Sequence, residues 1–170
     1  MEALPRTKSC FVCGVDNPIG IKLRFYRDGE WVRAEFRPRA EHAGFHHTVH
    51  GGVTATVLDE VMVWAIGAST GRFAYSAELT IRYTLPVRTG ELYRLSARVV
   101  TNRKGRIFET LGELHDEAGR LAASATGKYL PVPVELEHAL QVDFAEDPSA
   151  LWAKRNPPIG SKLATPSGSA

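Results

Sequence analysis

Cysteine is scarce in this chain of 170 residues: Cys10 and Cys13 are the only two. A disulfide framework is therefore excluded, and a chain this long needs none, since it can bury about 70% of the surface its unfolded form exposes. An excess of one charge is also lacking. The chain has 21 basic and 19 acidic residues, a net charge of +2, which gives little pull toward nucleic acid or an anionic membrane. Long apolar runs are missing too. The longest, from Val53 to Ile66, is interrupted by Asp59 and Glu60 and falls short of the ~20 residues that cross a bilayer. The opening residues MEALPRTKSC carry no apolar core of a secretory signal. The expectation is a cytoplasmic protein with no membrane or nucleic-acid partner.

What is present is periodic. Ile21, Leu23 and Phe25 alternate with polar residues, as do Val32, Ala34 and Phe36 beyond Asp28-Gly29, a strong hairpin signal. From Pro38 to Val49 the pattern lapses into a loop holding His42, His46 and His47. A helix is predicted from Gly51 to about Gly67, with apolar residues on every face of the 3.6-residue period, the mark of a buried helix. Four strands are predicted after it: Ala74–Leu85, Leu92–Thr101, Arg106–Asp116 and Arg120–Leu130. The turns between them at Thr89-Gly90, Lys104-Gly105 and Asp116–Gly119 are short and imply an antiparallel meander.

One buried helix flanked in sequence by antiparallel strands has few packing solutions, because the sheet must curve round the helix to cover it. The predicted class is α+β, with a long antiparallel sheet wrapped around one central helix, the hot-dog arrangement. The expected organisation is an N-terminal segment at 1–18, the hot-dog domain at 19–133 and an extension at 134–156. Asp147-Pro148 would cap a short helix running to Arg155 in that extension. The tail at 157–170, in which Pro, Gly and Ser make up 8 of 14 residues, is expected to be disordered.

Asp59 and Glu60 are the only charges between Gly51 and Gly71 and fall in the middle of the helix. Neighbouring helical residues point about 100° apart, so one acid can face a cleft while the other finds a different partner. A pair of structural acids is the plainer reading, and buried acids in clefts are also candidate functional groups. His50-Gly51-Gly52 stands just before the helix. Amides free at such a terminus, aided by the helix dipole, would stabilise an oxygen that gains negative charge during acyl transfer.

The run from His50-Gly51-Gly52 through Val53-Thr54-Ala55-Thr56-Val57-Leu58-Asp59-Glu60 resembles the signature of hot-dog acyl-CoA thioesterases related to the phenylacetate-pathway thioesterase. Further matches lie in Cys10–Gly14 with Asn17-Pro18 and Gly20, in Arg82–Val87 with Gly90-Glu91, and in Gly112–Leu114 with Asp116 and Gly119, so the likeness spans roughly Cys10 to Leu130. The resemblance implies hydrolysis of an acyl-CoA to a carboxylate and free coenzyme A, by a homodimer or a dimer of dimers with sites shared between chains. It implies Asp59 as nucleophile or general base, with Glu60 in reserve. The amide of Gly52 or its neighbour would serve as oxyanion donor, with His50 beside it and Ser76 orienting a water. Gly51 and Glu60 would line the bound substrate. A thioester leaves as a thiolate, which needs no strong acid, so neither metal nor cofactor is expected beyond the coenzyme A of the substrate.

Arg103, Lys104, Gly105 and Arg106 form a basic turn that could hold the nucleotide of coenzyme A or simply be solvated. Cys10-x-x-Cys13-Gly14 looks like half a zinc knuckle that His42, His46 and His47 could in principle complete, yet no second cysteine pair exists. A structural role is the expectation. Trp31, Trp64 and Phe73 read as packing, with Trp64 a candidate for shaping the acyl pocket. Two other functions compete: a non-catalytic acyl-CoA binder of the same fold, and a hot-dog dehydratase, which would need a catalytic histidine paired with an acid.

Overall fold

In the computed structural model, which describes residues 1–153, the alternating segments form a seven-stranded antiparallel sheet. Its strands are β1 (Glu2–Ala3), β2 (Tyr26–Asp28), β3 (Trp31–Phe36), β6 (Ala74–Tyr83), β7 (Tyr93–Asn102), β8 (Phe108–Asp116) and β9 (Leu121–Pro131). Two short strands, β4 (Ala43–Phe45) and β5 (Thr48–Val49), pair separately and lead into helix α1 (Gly51–Thr70). The small helices α2 (Glu137–Val142) and α3 (Ser149–Trp152) follow the sheet. The expected hot-dog arrangement is what the chain adopts: one long helix lying on a large antiparallel sheet.

Helix α1 buries Val57, Leu58, Val61, Met62, Trp64, Ala65 and Ile66 against the sheet. Each large apolar side chain so covered contributes roughly 1.5–3 kcal/mol. Trp64 sits at the centre of an aromatic cluster, stacked on Phe25 at 5.5 Å and edge-on to Phe73 at 5.3 Å and Phe144 at 6.2 Å. It is a core residue, so the expectation that it shapes an acyl pocket is replaced by packing. The helix is not covered all round. Val53, Ala55, Thr56, Asp59 and Val63 remain half-buried, so a largely apolar stripe containing Asp59 is open in a single chain.

Four differences from the sequence reading have physical causes. The helix runs on past Gly67 to Thr70 and stops at Gly71, whose φ of 67° is the left-handed cap conformation that glycine adopts freely. The residues Ile21, Leu23 and Phe25 are buried as the alternation implies, but they form no strand. The Ile21 and Leu23 amides donate instead to the carbonyls of Phe11 and Val12, fastening this segment to the cysteine loop. The predicted meander also fails at its first step. The sheet order is β1-β2-β3-β7-β8-β9-β6, so β6 pairs with β9 and lies at the far edge. The link from Thr84 to Leu92 crosses the end of the sheet, hydrogen-bonding in turn to Ala122, Val49, His47 and Pro38; nine residues of extended chain reach about 30 Å, ample for passing two strands. Finally, the cap position of α3 is taken by Pro148 rather than by the expected Asp147, whose carboxylate still accepts the Ser149 amide at 2.9 Å. The expected end of that helix at Arg155 and the tail at 157–170 lie outside the described residues.

By length and composition α1 could cross a membrane, but more than half of it is buried within the domain, as befits a core helix.

Candidate active site

Asp59 lies on α1 where it meets the end of the sheet formed by β6 and β9. Ser76 and Tyr129 are directly opposite each other in the β6–β9 ladder, so their side chains leave the same face of the sheet as neighbours. Both reach the same carboxylate oxygen. Ser76 Oγ donates to Asp59 Oδ1 at 2.7 Å and Tyr129 Oη donates to it at 2.8 Å. Hydrogen bonds to a charged acceptor are the strong ones, and two of them hold this carboxylate in one orientation. The ladder shifts register between Ser76 and Glu78, the kind of bulge that re-aims side chains beside functional sites.

Tyr129 is absent from the sequence reading. It is fully buried, and burial, followed by the negative charge of Asp59, pushes its hydroxyl well above the usual tyrosine range. It therefore stays a proton donor to the carboxylate. Room for its ring comes from its own strand: a Cβ at Gly127 would lie 2.5 Å from the Tyr129 ring and 2.9 Å from its hydroxyl. The signal was a Gly-x-Tyr step on one face of a strand, legible only once the register opposite Ser76 is known.

Glu60 turns away from this group, as the 100° step along a helix requires. Its Oε1 accepts Cys13 Sγ at 3.1 Å, Cys10 Sγ at 3.3 Å and Trp64 Nε1 at 3.0 Å. Burial, reinforced by the charge on Cys10, pushes its carboxyl up to about 8. The hydrogen bond from Cys13 and the amides of Cys13 and Val12 lower the Cys10 thiol, while the Cys13 thiol is raised by that same pairing and by burial. Glu60 thus does not share a site with Asp59 in one chain. The three loop histidines are elsewhere: His42 is buried against Phe36 with Nδ1 accepting the Arg39 amide, and His46 and His47 form the exposed β4–β5 turn.

At the N-terminus of α1 the structure changes one assignment. The Gly52 amide, expected to be free, donates to His50 Nδ1 at 2.9 Å. His50 is thereby the cap of the helix, and an accepting Nδ1 places its single ring proton on Nε2. The amides of Val53 and Thr54 bond to the His50 carbonyl, which leaves Gly51 N–H as the amide of this first turn with no partner among the described residues. Tyr83 flanks it, donating to the Gly51 carbonyl at 2.9 Å. Gly51 and Asp59 are eight residues apart on one helix, a rise of about 12 Å. No thioester carbon can be in contact with both in a single chain.

Of the basic turn, Arg103 is committed to Glu109 at 2.6 Å. Lys104 and Arg106 are exposed and carry no ion pair among the described residues. The turn is held by left-handed Lys104 and Gly105 and by Arg72, which donates to the Gly105 carbonyl at 3.2 Å.

The thioesterase superfamily profile matches residues 46–123, the stretch that contains the helix cap, Asp59 and Ser76. Over that stretch the chain is similar to the thioesterase superfamily. Human acyl-coenzyme A thioesterase 13 is 29% identical over 93 residues, covering 54% of this chain and 66% of the human protein. The chain therefore spans just under two thirds of that relative's length. Among solved structures, thioesterase superfamily protein RHA08564 superposes with a TM-score of 0.67 at 26% identity, over 72% of this chain and 63% of that one. The Escherichia coli PaaI protein from the phenylacetic acid degradation operon shares the fold, with a TM-score of 0.61 at 18% identity over 66% of this chain and 81% of its own.

Proposed function

We propose that this chain is a member of the thioesterase superfamily and hydrolyses acyl-CoA thioesters as a symmetric dimer, each site combining Asp59 of one chain with the N-terminal turn of α1 from the other. The observation that carries the reading is the carboxylate of Asp59, pinned by Ser76 and Tyr129 on the uncovered side of the helix. The separation of about 12 Å along α1 calls for a second copy. Two features accommodate it. Strand β6 ends the sheet with a ten-residue open edge, exposed along most of its length, and long open edges are pairing templates. The half-buried stripe of α1 runs beside that edge and would be covered by its own symmetry mate.

In the proposed reaction the thioester carbonyl oxygen accepts the Gly51 amide of the partner subunit. Asp59 takes a proton from a water steered by Ser76, and the resulting hydroxide oxygen bonds to the carbonyl carbon. The tetrahedral oxyanion is stabilised by the amide and the helix dipole. Its collapse breaks the C–S bond and expels the coenzyme A thiolate, which receives the proton held by Asp59. Tyr129 keeps the carboxylate oriented throughout. Lys104 and Arg106, exposed and without an ion pair among the described residues, are available to the phosphates of coenzyme A, and the free Cys10 and Cys13 suit a reducing, cytoplasmic setting.

The test is thiol release from a panel of acyl-CoAs by wild type and Asp59→Asn. Release that is abolished in the variant while acyl-CoA binding persists supports the reading. Binding without release in wild type would identify a ligand-binding module instead.

A further inference from the structure

The cluster of Cys10, Cys13 and Glu60 is used by no step of the proposed hydrolysis, yet among the described residues it is the group of acidic and thiol side chains able to hold a metal ion. Its three ligand atoms lie within 4.8 Å of one another. The sulfur-to-oxygen separations are 3.1 and 3.3 Å. Ligands placed tetrahedrally around zinc at ordinary bond lengths, near 2.3 Å for sulfur and 2.0–2.2 Å for oxygen, stand about 3.5–3.8 Å apart. Each sulfur would need to draw back from the carboxylate oxygen by only a few tenths of an ångström to admit such an ion.

The loop that presents the sulfurs is shaped in advance. The amides of Val12 and Cys13 point at Cys10 Sγ, at 3.2 and 3.4 Å, an arrangement that favours a thiolate. The turn closes so tightly that only glycine fits after Cys13: a Cβ on Gly14 would lie 2.4 Å from the Cys10 carbonyl oxygen and 2.6 Å from that of Lys8. Lys22 adopts a left-handed backbone, with φ of 69°, and its ammonium caps the Gly14 and Val15 carbonyls at 2.8 Å each. Such a conformation costs a non-glycine residue energy and persists only where the surroundings enforce it. Among the described residues no basic side chain bonds to the three acidic groups, so the positive charge that would balance them is not supplied by the protein.

We propose that Cys10, Cys13 and Glu60 bind a single thiophilic divalent cation of the zinc class, clamping the N-terminal loop to α1 one residue from Asp59. Glu60 supplies the third ligand that the sequence spacing alone did not reveal, in place of any histidine. The half-exposed side at Cys10 leaves the fourth position to water. Binding exchanges the acidic protons remaining on the three groups for the cation, with no redox step.

The experiment is elemental analysis of the purified full-length protein, followed by replacement of the metal with cobalt(II). The expected result is about one zinc per chain and, after exchange, the intense near-ultraviolet absorption of thiolate-to-cobalt charge transfer. Cys10→Ser, at the half-exposed ligand, and Glu60→Gln should each weaken cobalt(II) binding at least tenfold while circular dichroism shows a folded chain. Asp59→Asn should keep the full metal content, so loss of hydrolysis and loss of metal are read separately. Two freely titratable thiols with no cobalt(II) band would overturn the proposal. So would a Cys10–Cys13 disulfide in freshly isolated protein, or a Glu60→Gln variant that binds cobalt(II) like wild type.

Discussion

Replacing Gly51 with proline deletes one N–H group and very little else. Gly51 is the first residue of α1, the position where proline is most welcome because the amide has no helical partner. The preceding His50 has φ −58° and ψ 134°, the extended conformation that a residue before proline must take. A Cβ at position 51 would meet only the Tyr83 ring, at 3.6 Å, an ordinary contact. The substitution should therefore hold or slightly raise stability, by about 0.4–1 kcal/mol through the unfolded chain. Loss of an oxyanion donor costs ~10²–10³ in kcat, or about 2.7–4 kcal/mol of transition-state stabilisation. Steady-state thiol release from an acyl-CoA, with KM little changed and Tm intact, is the expected signature. Gly51→Ala, which keeps the amide, should lose far less. A folded Gly51→Pro enzyme with kcat within about threefold of wild type would refute the assignment of this amide.

Mixing Asp59→Asn with Gly51→Pro, each inactive alone, tests the shared site. After subunit exchange about half the dimers are mixed and each mixed dimer has one intact site, so close to a quarter of wild-type activity should return; no recovery despite verified exchange would refute the shared site. Tyr129→Phe should lower kcat about 10- to 100-fold with KM nearly unchanged, the worth of one hydrogen bond to a charged group; saturation kinetics provide the check. Arg24 and then Arg6 hold the Glu146 carboxyl below its ordinary 4.5. Because the folded value is the lower one, these ties contribute fully above pH 4.5 and are lost as pH falls through the folded value. Glu146→Gln should thus destabilise the chain by no more than about 1 kcal/mol at pH 7 and by less at pH 3, as read from urea midpoints.

Much of this architecture was legible because its signals are local. The unbroken apolar face of α1, the alternation of the later strands and the Asp-Gly turn each rest on neighbouring residues, and the four long strands fall within about two residues of their predicted bounds. Placement of β6 was not local. The link from Thr84 to Leu92 is short enough for a hairpin and long enough to cross the sheet, and the choice is made by hydrogen bonds to Ala122, Val49, His47 and Pro38. The site divides the same way. Asp59 stood out as an acid in an apolar helix, and resemblance pointed to Ser76. Tyr129 could not be seen, since its partnership depends on the register that sets it opposite Ser76. The choice between Gly51 and Gly52 turns on the ring orientation of His50. Glu60 meets Cys10 and Cys13 across some fifty positions of sequence, a distance that no motif spans.

Gly127 makes the position of Tyr129 a matter of negative space. The phenol lies back along its own strand, in the volume a side chain two residues earlier would fill. A single methyl added at Gly127 would evict the ring while removing no atom from the carboxylate, the serine or the helix terminus. The chemistry at Asp59 is thus vulnerable to gain as well as loss, and at an address that no inventory of reactive groups would contain. A search for inactivating substitutions in such a chain has to include the places where nothing is allowed to be.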